Sequence, residues 1–586
     1  MKNQKGPLDK FGIAAALQEI AALLEVKGGE YFKARAFKIG ARAVAELRED
    51  LGTLIKQNRL TFIKGIGITL AKQIEELYTS GESKFLQTLR AELPKGILEL
   101  SNIPGLNLKK IERLQQAGIT NLDDLRAACE AHQIRNLKGF GPKTEQKILE
   151  AITRPAQSER RIHIHHALRI GEGLLEYLET APGFIAGELA GSLRRRAETV
   201  ADIAVVVSVK QPEKAIDYFL RFPLIVSVQE RSNGYCSVIL NEGVVTHLFA
   251  VKPRALAATL LRATGSEAHL KRLDQAAAAK NLSITTNGIE KLSQSRRNHK
   301  ASARLNEIQT EAEIYQRLGM QWIPPELRED NGEIEAALKG SLPEDLITID
   351  DLKGMVHCHT TYSDGKHSIE QMVYAAQSMG MKYITITDHS PTAFYAGGVK
   401  VDQLQRQWEE IDRVQEQARI KILKGTESDI LADGSLDYPD WVLEQFDVIV
   451  ASIHSRYKMD EEKMTRRVIT AMRQPVFKIW GHALGRLIDR RPPFDCRVEE
   501  ILDVIAESRA AIEINGDPYR LDMEPRWLRE ARKRKIKFVI SVDAHSTGSL
   551  NNVKFGVGIA RRGWVRRSEV LNTLAVKRFQ KAVRPL

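Results

Sequence analysis

Histidines and carboxylates recur at the ends of apolar, β-branched runs between residues 355 and 545. MVHCHT supplies His357 and His359, YITITDH supplies Asp388 and His389, and ILKGTE supplies Glu427. DVIVASIH, FKIWGH and FVISVDAH supply His454, His482, Asp543 and His545. A lone histidine on a strand is ordinarily a hydrogen-bonded structural residue, but packing does not explain one placement repeated six times. His357 and His359 stand two apart, so a strand puts both on one face, where they can share a cation. Asp364 follows in an SDG turn within reach of the same place. Imidazoles mixed with carboxylates favour Zn²⁺, Mn²⁺ or Fe²⁺ over Mg²⁺, which prefers all-oxygen octahedra. Nine potential ligands exceed the needs of one ion, so two or three divalent metals are expected, manganese or zinc first. Such clusters lower the pKa of a bound water and clamp the oxygens of a phosphate under attack. Phosphoester hydrolysis is therefore the leading chemistry.

The runs that must position these groups (384–386, 448–450 and 539–542) are apolar on both faces, as buried parallel strands are. Helical stretches at 369–379 and 497–508 lie between them, giving a strand, helix, strand alternation. In a barrel of that kind the carboxyl ends of the strands converge on one rim.

The motifs HCHTTYSDG, ITITDHS, GTESDILADGSLDYPD, VASIHS, GHALGR, INGDPYRLD and VDAHS resemble those of the PHP (polymerase and histidinol phosphatase) domain, from about 352 to 574. The resemblance implies a distorted (β/α)7 barrel whose metal ligands are His357, His359, Asp364, His389, Glu427, His454, His482, Asp543 and His545. It makes Glu427, His359, Asp543 and Arg486 the catalytic candidates, with Arg486 and Arg520 meeting a substrate phosphate. Asp388 is expected to support the ligand shell, and His367 to be an exposed loop residue.

A chain of 586 residues is too long for one core. It is 43% apolar with regular amphipathic periodicity, and no apolar run or signal-like start marks a membrane or secreted protein. A cytoplasmic, monomeric protein with no membrane partner is expected. Four cysteines without a CxxC pair fit a reducing compartment. The net charge of +12 suits a polyanionic partner.

Residues 8–155 read as almost entirely helical, with helices at 11–25, 31–48 and 70–78. Three hairpins punctuate them: IKGIG with Lys64, Gly65 and Gly67; IPGLN with Gly105; LKGFG with Lys138, Gly139 and Gly141. Each opens a helix, where backbone N–H groups can hold a phosphate oxygen without reading sequence. They resemble helix–hairpin–helix motifs, the middle one degraded because Asn107 replaces its second glycine.

Farther on, Gly191, Ser192 and Arg195 in GSLRR, and Gly265 and Ser266 in TGS with His269 nearby, resemble the nucleotide-binding motifs of family X DNA polymerases. With the hairpins and the PHP motifs, nearly the whole chain is similar to the bacterial members that carry a C-terminal PHP domain. Polymerase chemistry needs two carboxylates at i, i+2 on one strand and a third on a neighbour to hold two Mg²⁺ ions. Asp202 is present, but Ala204 takes the second position and His247 the third, so Mg²⁺ there is doubtful and polymerase activity is expected to be lost. Glu198 or Glu242 moving in beside Asp202 and His247 is the competing possibility. The Schiff-base lysine of lyase-active relatives is replaced by Gln73, and His163, His165 and His166 are expected on the surface.

The expectation is a multidomain α+β and α/β protein. Its parts are a helical DNA-end domain at 1–90, fingers at 91–155, a nucleotidyltransferase-like palm at 156–252, a thumb at 253–323, a linker at 324–350 and the PHP domain at 351–578. Its expected function is DNA repair: a metal-dependent 3′–5′ exonuclease or 3′-end phosphoesterase, with abasic-site cleavage as a further activity, acting on gapped, nicked or 3′-blocked DNA. Alternatives are a gap-filling polymerase with unusual metal ligands, a small-molecule phosphatase, and a non-catalytic DNA-binding scaffold.

Overall fold

A computed structural model describes residues 8, 10–27, 30–45, 47, 49–92, 100, 106, 108–153, 161–240, 243–285, 288–291 and 308–585. Two compact units emerge: Met1–Leu193 with Thr199–Gly265 and Asp274–Ile314, and Arg194–Glu198 with Ser266–Leu273 and Tyr315–Leu586.

The first unit begins with helices. Lys10–Lys27 buries Ile13, Leu17, Ile20 and Leu24, a stripe spaced by three and four residues, against Tyr31–Ala45. Helix Ile68–Ser80 starts at Gly67 and buries Leu70, Ile74 and Leu77. Helix Pro142–Thr153 follows Gly141. A five-stranded sheet comes next, made of β1 (Phe184–Ala190), β2 (Asp202–Val209), β3 (Ile225–Ser232), β4 (Tyr235–Leu240) and β5 (Val245–Val251). Its order is β1-β2-β5-β4-β3, with only β2 and β5 parallel. The valines of β2 (205, 206, 207 and 209) are buried because the strand is central and covered on both faces.

The second unit holds seven parallel strands: β6 (Gly354–Cys358), β7 (Tyr383–Ile386), β8 (Lys421–Asp429), β9 (Val448–Ser452), β10 (Lys478–Trp480), β11 (Ala510–Asn515) and β12 (Lys537–Ser541). Each pairs with the next in chain order. The ring closes where Cys358 bridges Ala544: His359 N donates to Ala544 O at 2.9 Å and Ala544 N to His357 O at 3.0 Å. Helices Ile369–Ser378 and Val498–Glu507 lie where the periodicity placed them. The interior is filled by Val356, Leu423, Val450, Ile479, Ala511 and Val539. At the amino ends of the strands, helix Val576–Val583 inserts Phe579, which stacks on Tyr383 at 4.7 Å. Burying a ring of that size contributes about 1.5–3 kcal/mol. The carboxyl ends are left to polar residues.

Among the described residues, no helix is long and apolar enough to cross a membrane. All four cysteines are free thiols.

Candidate metal centre

At the carboxyl rim, Glu427 of β8 sits at the middle of the histidines. Its Oε1 lies 2.9 Å from His482 Nε2 and 3.2 Å from both His357 Nε2 and His454 Nε2. Its Oε2 lies 2.9 Å from His389 Nδ1 and 3.4 Å from His359 Nε2. Asp543 Oδ1 is 3.1 Å from His359 Nε2 and 3.5 Å from His357 Nε2. Asp364 Oδ1 reaches His545 Nε2 at 3.1 Å and His389 Nε2 at 3.6 Å. All nine residues singled out by the sequence are thus brought to one rim. Three overlapping groups within them have the spacing to hold an ion: His357, His359, Glu427 and Asp543; His359, Asp364, His389 and His545; and His389, Glu427 and His454.

The chemistry of these atoms fits cations. His357 Nε2, both ring nitrogens of His359, His389 Nδ1, His482 Nδ1, Glu427 Oε2 and Asp543 Oδ1 are buried without a well-aligned hydrogen bond, even where imidazole and carboxylate stand at ion-pair distance. Orphaned polar atoms are costly in a protein interior unless something charged engages them. Burial resists ionisation of Glu427, yet His454, His357 and His389 hold it well below the usual carboxylate range. Burial likewise opposes charge on His454 and His545, but Glu427 and Asp429 raise the first to about 10, and Asp364 and Asp543 raise the second to about 9. Burial lowers His359 to about 3, helped by His389 and His545. The backbone supports the convergence at some cost: His357, His482 and Asp543 adopt φ of +66°, +26° and +50°. Gly365 lets the SDG turn close, since a Cβ there would stand 2.6 Å from the His359 carbonyl.

A ring of partners aims the ligands. Glu513 of β11 accepts from His357 Nδ1 at 2.5 Å, from Ser541 Oγ at 2.5 Å, and from the His482 backbone N–H. Asp429 holds His454 Nδ1. Asp388 accepts from Thr360 N, Thr360 Oγ1 and Gln407 Nε2, each at 2.7 Å, and from Ser363 Oγ at 2.5 Å. It organises the 359–365 loop and faces no orphaned ligand atom. Glu513 and Asp429 were missed from the sequence, although each carried a signal. Glu513 is an acid in the apolar run AAIEIN, and Asp429 stands two residues past Glu427 on the same face of its strand.

Three expectations need correcting. Arg486 does not present its guanidinium to a substrate. It donates to the carboxylate of Glu198 at 3.0 and 3.2 Å and to the Arg520 carbonyl at 2.8 Å, and lies 3.3 Å from Asp522. Arg520 is the arginine at the rim, with Nε 3.3 Å from Asp543 Oδ2 and a buried Nη1 lacking a hydrogen bond. His367 is half-buried and accepts from Thr547 N at 3.4 Å. His163, His165 and His166 do begin a helix, Ile164–Glu179, but are half-buried, with rings 4.1–6.4 Å apart.

In the sheet of the first unit, Ala204 pairs with His247 and Asp202 with Val245. Asp202 Oδ2 lies 3.9 Å from His247 Nε2, while His247 Nδ1 meets the Tyr235 hydroxyl at 3.0 Å. Ala204 packs in an apolar cluster with Ala190, Val206 and Leu260. Gly191, at φ +63°, stands beside Asp202 and Ala204. Ser192 is the second residue of the short helix Gly191–Arg194. Glu198 is occupied by Arg486, and Glu242 lies outside the described residues. Arg195 donates to Glu329 at 2.8 Å. Gly265 ends the helix Leu256–Thr264, and Ser266 Oγ accepts from His269 N at 3.1 Å. The His269 ring is buried between Glu333 and the Tyr315 hydroxyl, which withdraws it from any nucleotide.

Gly65 and Gly139 take φ of +95° and +87°, and nothing stands within 4 Å of the Cβ positions of Gly67 and Gly141. The backbone is therefore open to a close neighbour at Gly67 and Gly141, while Ile39 packs against Gly65 and Arg113 against Gly139. Lys64 and Lys138 are exposed beside them. Gly105 and Asn107 of the middle hairpin lie outside the described residues.

Family models match the chain in four places. They are a PHP domain over 356–517, a DNA polymerase beta thumb over 259–329, a helix-hairpin-helix domain over 9–83 and a SAM-like helix-hairpin-helix tandem over 97–154. The chain is 34% identical over 574 residues to the DNA polymerase/3′-5′ exonuclease PolX of Bacillus subtilis, covering 97% of this chain and 98% of the relative. It is 28% identical over 234 residues to a probable phosphatase of Thermoanaerobacter sp., covering 37% of this chain and 89% of the relative. A probable phosphatase of Caldanaerobacter subterraneus matches at 28% over 208 residues, 32% of this chain and 74% of the relative.

Proposed function

The chain belongs to the PolX family, and from that premise we propose that it is a DNA-repair enzyme whose working site is the rim of the PHP barrel, hydrolysing phosphoesters at DNA 3′ ends. The observation that carries this reading is the set of orphaned imidazole and carboxylate atoms converging on Glu427. His357, His359, Asp364, His389, Glu427, His454, His482, Asp543 and His545 would hold two or three divalent ions, with Mn²⁺ or Zn²⁺ suited to so many imidazoles. When bound, such ions make water nucleophilic near neutral pH and offset the charge of a phosphate under attack. The chain's own residues do the rest. Glu427 and Asp543 supply fixed negative charge, while Glu513 and Asp429 fix the ring orientations of His357 and His454. Arg520 directs a guanidinium edge at the rim, suited to a non-bridging phosphate oxygen. Arg486 is a positioning residue that braces the segment carrying Arg520. The two described hairpins would grip the phosphodiester backbone through helix-start N–H groups, without regard to sequence.

Loss of polymerase activity is part of this reading. It rests on Asp202 standing without a second carboxylate at Ala204 or a third at His247. The 3.9 Å approach of His247 Nε2 to Asp202, with Nδ1 held by the Tyr235 hydroxyl, supports a rival, a gap-filling polymerase using an imidazole–carboxylate ion site, but one carboxylate and one imidazole are too few to hold the two Mg²⁺ ions of that chemistry. A small-molecule phosphatase would leave the hairpins without a task. The test is digestion of a 5′-labelled oligonucleotide with added Mn²⁺. His359→Ala and Asp543→Ala should each slow 3′ shortening by at least about 100-fold, on the scale by which ligand shells control metal sites. Shortening at the original rate in both variants would remove the barrel from the chemistry.

A further inference from the structure

Directly after His389 the chain forms a tight loop pinned at several points. Ser390 N donates to Glu427 O at 3.0 Å, Val399 N to His389 O at 2.7 Å, and Gly398 N to Ala393 O at 3.1 Å. Gly398 is pressed so closely that a Cβ there would stand 2.0 Å from Ser390 O. At the apex is one 3₁₀ turn, Phe394–Ala396, with Ala393 and Ala396 buried beneath it. Its two rings point the other way. Phe394 is 85% exposed and Tyr395 62% exposed. The Tyr395 ring lies 6.4 Å from His389 and 6.5 Å from His454, both in the proposed ligand set, and Phe394 lies edge-on to it at 6.2 Å. A loop fastened this firmly does not leave two large apolar faces in water for want of freedom to fold them in. They stand at the lip of the cluster, within one nucleotide's reach of a phosphate held there.

We propose that Phe394 and Tyr395 form a stacking platform for the base of the 3′-terminal nucleotide, with its phosphodiester held at the cluster. The inference rests on the reading of the barrel as a 3′-end phosphoesterase and adds a substrate-selecting element to it. Every base has a π-face, so stacking on aromatic rings tolerates sequence and demands only that the base be unpaired. Frayed, mismatched or single-stranded 3′ ends are therefore the preferred substrates, because a paired terminal base must first leave its helix. A protein partner would need a broader apolar surface than two rings flanking a polar site.

The test compares oligonucleotides that end in an ordinary nucleotide or in an abasic one. In the wild type, kcat/KM should favour the base-bearing end roughly 5- to 150-fold, the range that one stacked base supplies. In the Phe394→Ala/Tyr395→Ala double variant that ratio should collapse toward one, and Phe394→Trp/Tyr395→Phe should keep it. A 3′-terminal 2-aminopurine, joined through a phosphorothioate that resists hydrolysis, reports stacking without turnover; the wild type should quench it and the double variant should not. An unmoved ratio, or quenching that persists in the double variant, overturns the platform. A wild type that digests neither end defeats the phosphoesterase reading, and the 2-aminopurine signal still decides the stacking.

Discussion

Glu513 has no route to a substrate, yet three of its hydrogen bonds fix the geometry of the rim: those from the His357 ring, the His482 backbone and Ser541. Glu513→Gln keeps the size and removes the charge. Such partners typically govern metal affinity by about 10–100-fold, and a loss of that size is expected when Mn²⁺ or Zn²⁺ is titrated into the variant. Unaltered affinity would mean that His357 orients without help. Asp522 offers a stability test away from the ligands. Burial pushes its carboxyl up to about 7, against the pull of Arg486 and Arg520. The folded chain keeps a proton that the unfolded chain releases near pH 4. Stability is therefore lost as the pH rises from about 4 through about 7. Asp522→Asn escapes that loss, so its Tm should exceed the wild type's by roughly 2–4 °C at pH 8, the scale of about 1 kcal/mol in a unit of this size. At pH 4 the two should agree more closely. An equal drop at both values would show that Asp522 serves chiefly as an ion-pair partner of Arg486.

Strands decide most of what the sequence makes legible. An apolar run ending in a histidine or acid is a local signal, so His357, Glu427, His454, His482 and Asp543 could be read before any tertiary contact was known. Arg486 was misplaced because its motif gives a position along the chain and no direction. The carboxylate that captures it, Glu198, is 288 residues away. The burial of His269 was hidden for a similar reason, since Glu333 and Tyr315 reach it from distant parts of the chain. The β2 strand carries the complementary lesson. Asp202 and Ala204 were legible as i, i+2 neighbours, and the register adds that Ala204 stands opposite His247 on the adjoining strand. Restoring the anions tests that reading. Ala204→Asp with His247→Asp should add Mg²⁺-dependent nucleotide incorporation at least about tenfold above the wild type. Placing a carboxylate in the apolar cluster around Ala204 should cost about 1–3 kcal/mol of stability without metal. A wild type that already extends primers as fast as the variant would show that those carboxylates are dispensable.

For the whole molecule, the chain joins parts that read independently. Helical hairpins are suited to a phosphate backbone, a nucleotidyltransferase-like sheet retains its glycine turn but one acid, and a closed barrel gathers nine potential metal ligands at one rim. Identity to a PolX of Bacillus subtilis runs through all of them. The +12 net charge belongs with a polyanion, and relatives matching about a third of the chain are probable phosphatases by name. Such a combination suits a repair enzyme that trims. The most direct measurement is the length of a 5′-labelled primer in gapped DNA after incubation with the protein, Mn²⁺, Mg²⁺ and all four nucleotides. The primer should become shorter, and His359→Ala should stop the shortening. A primer that instead grows, in reactions that survive His359→Ala and cease in Asp202→Ala, would place the chemistry in the sheet and not in the barrel.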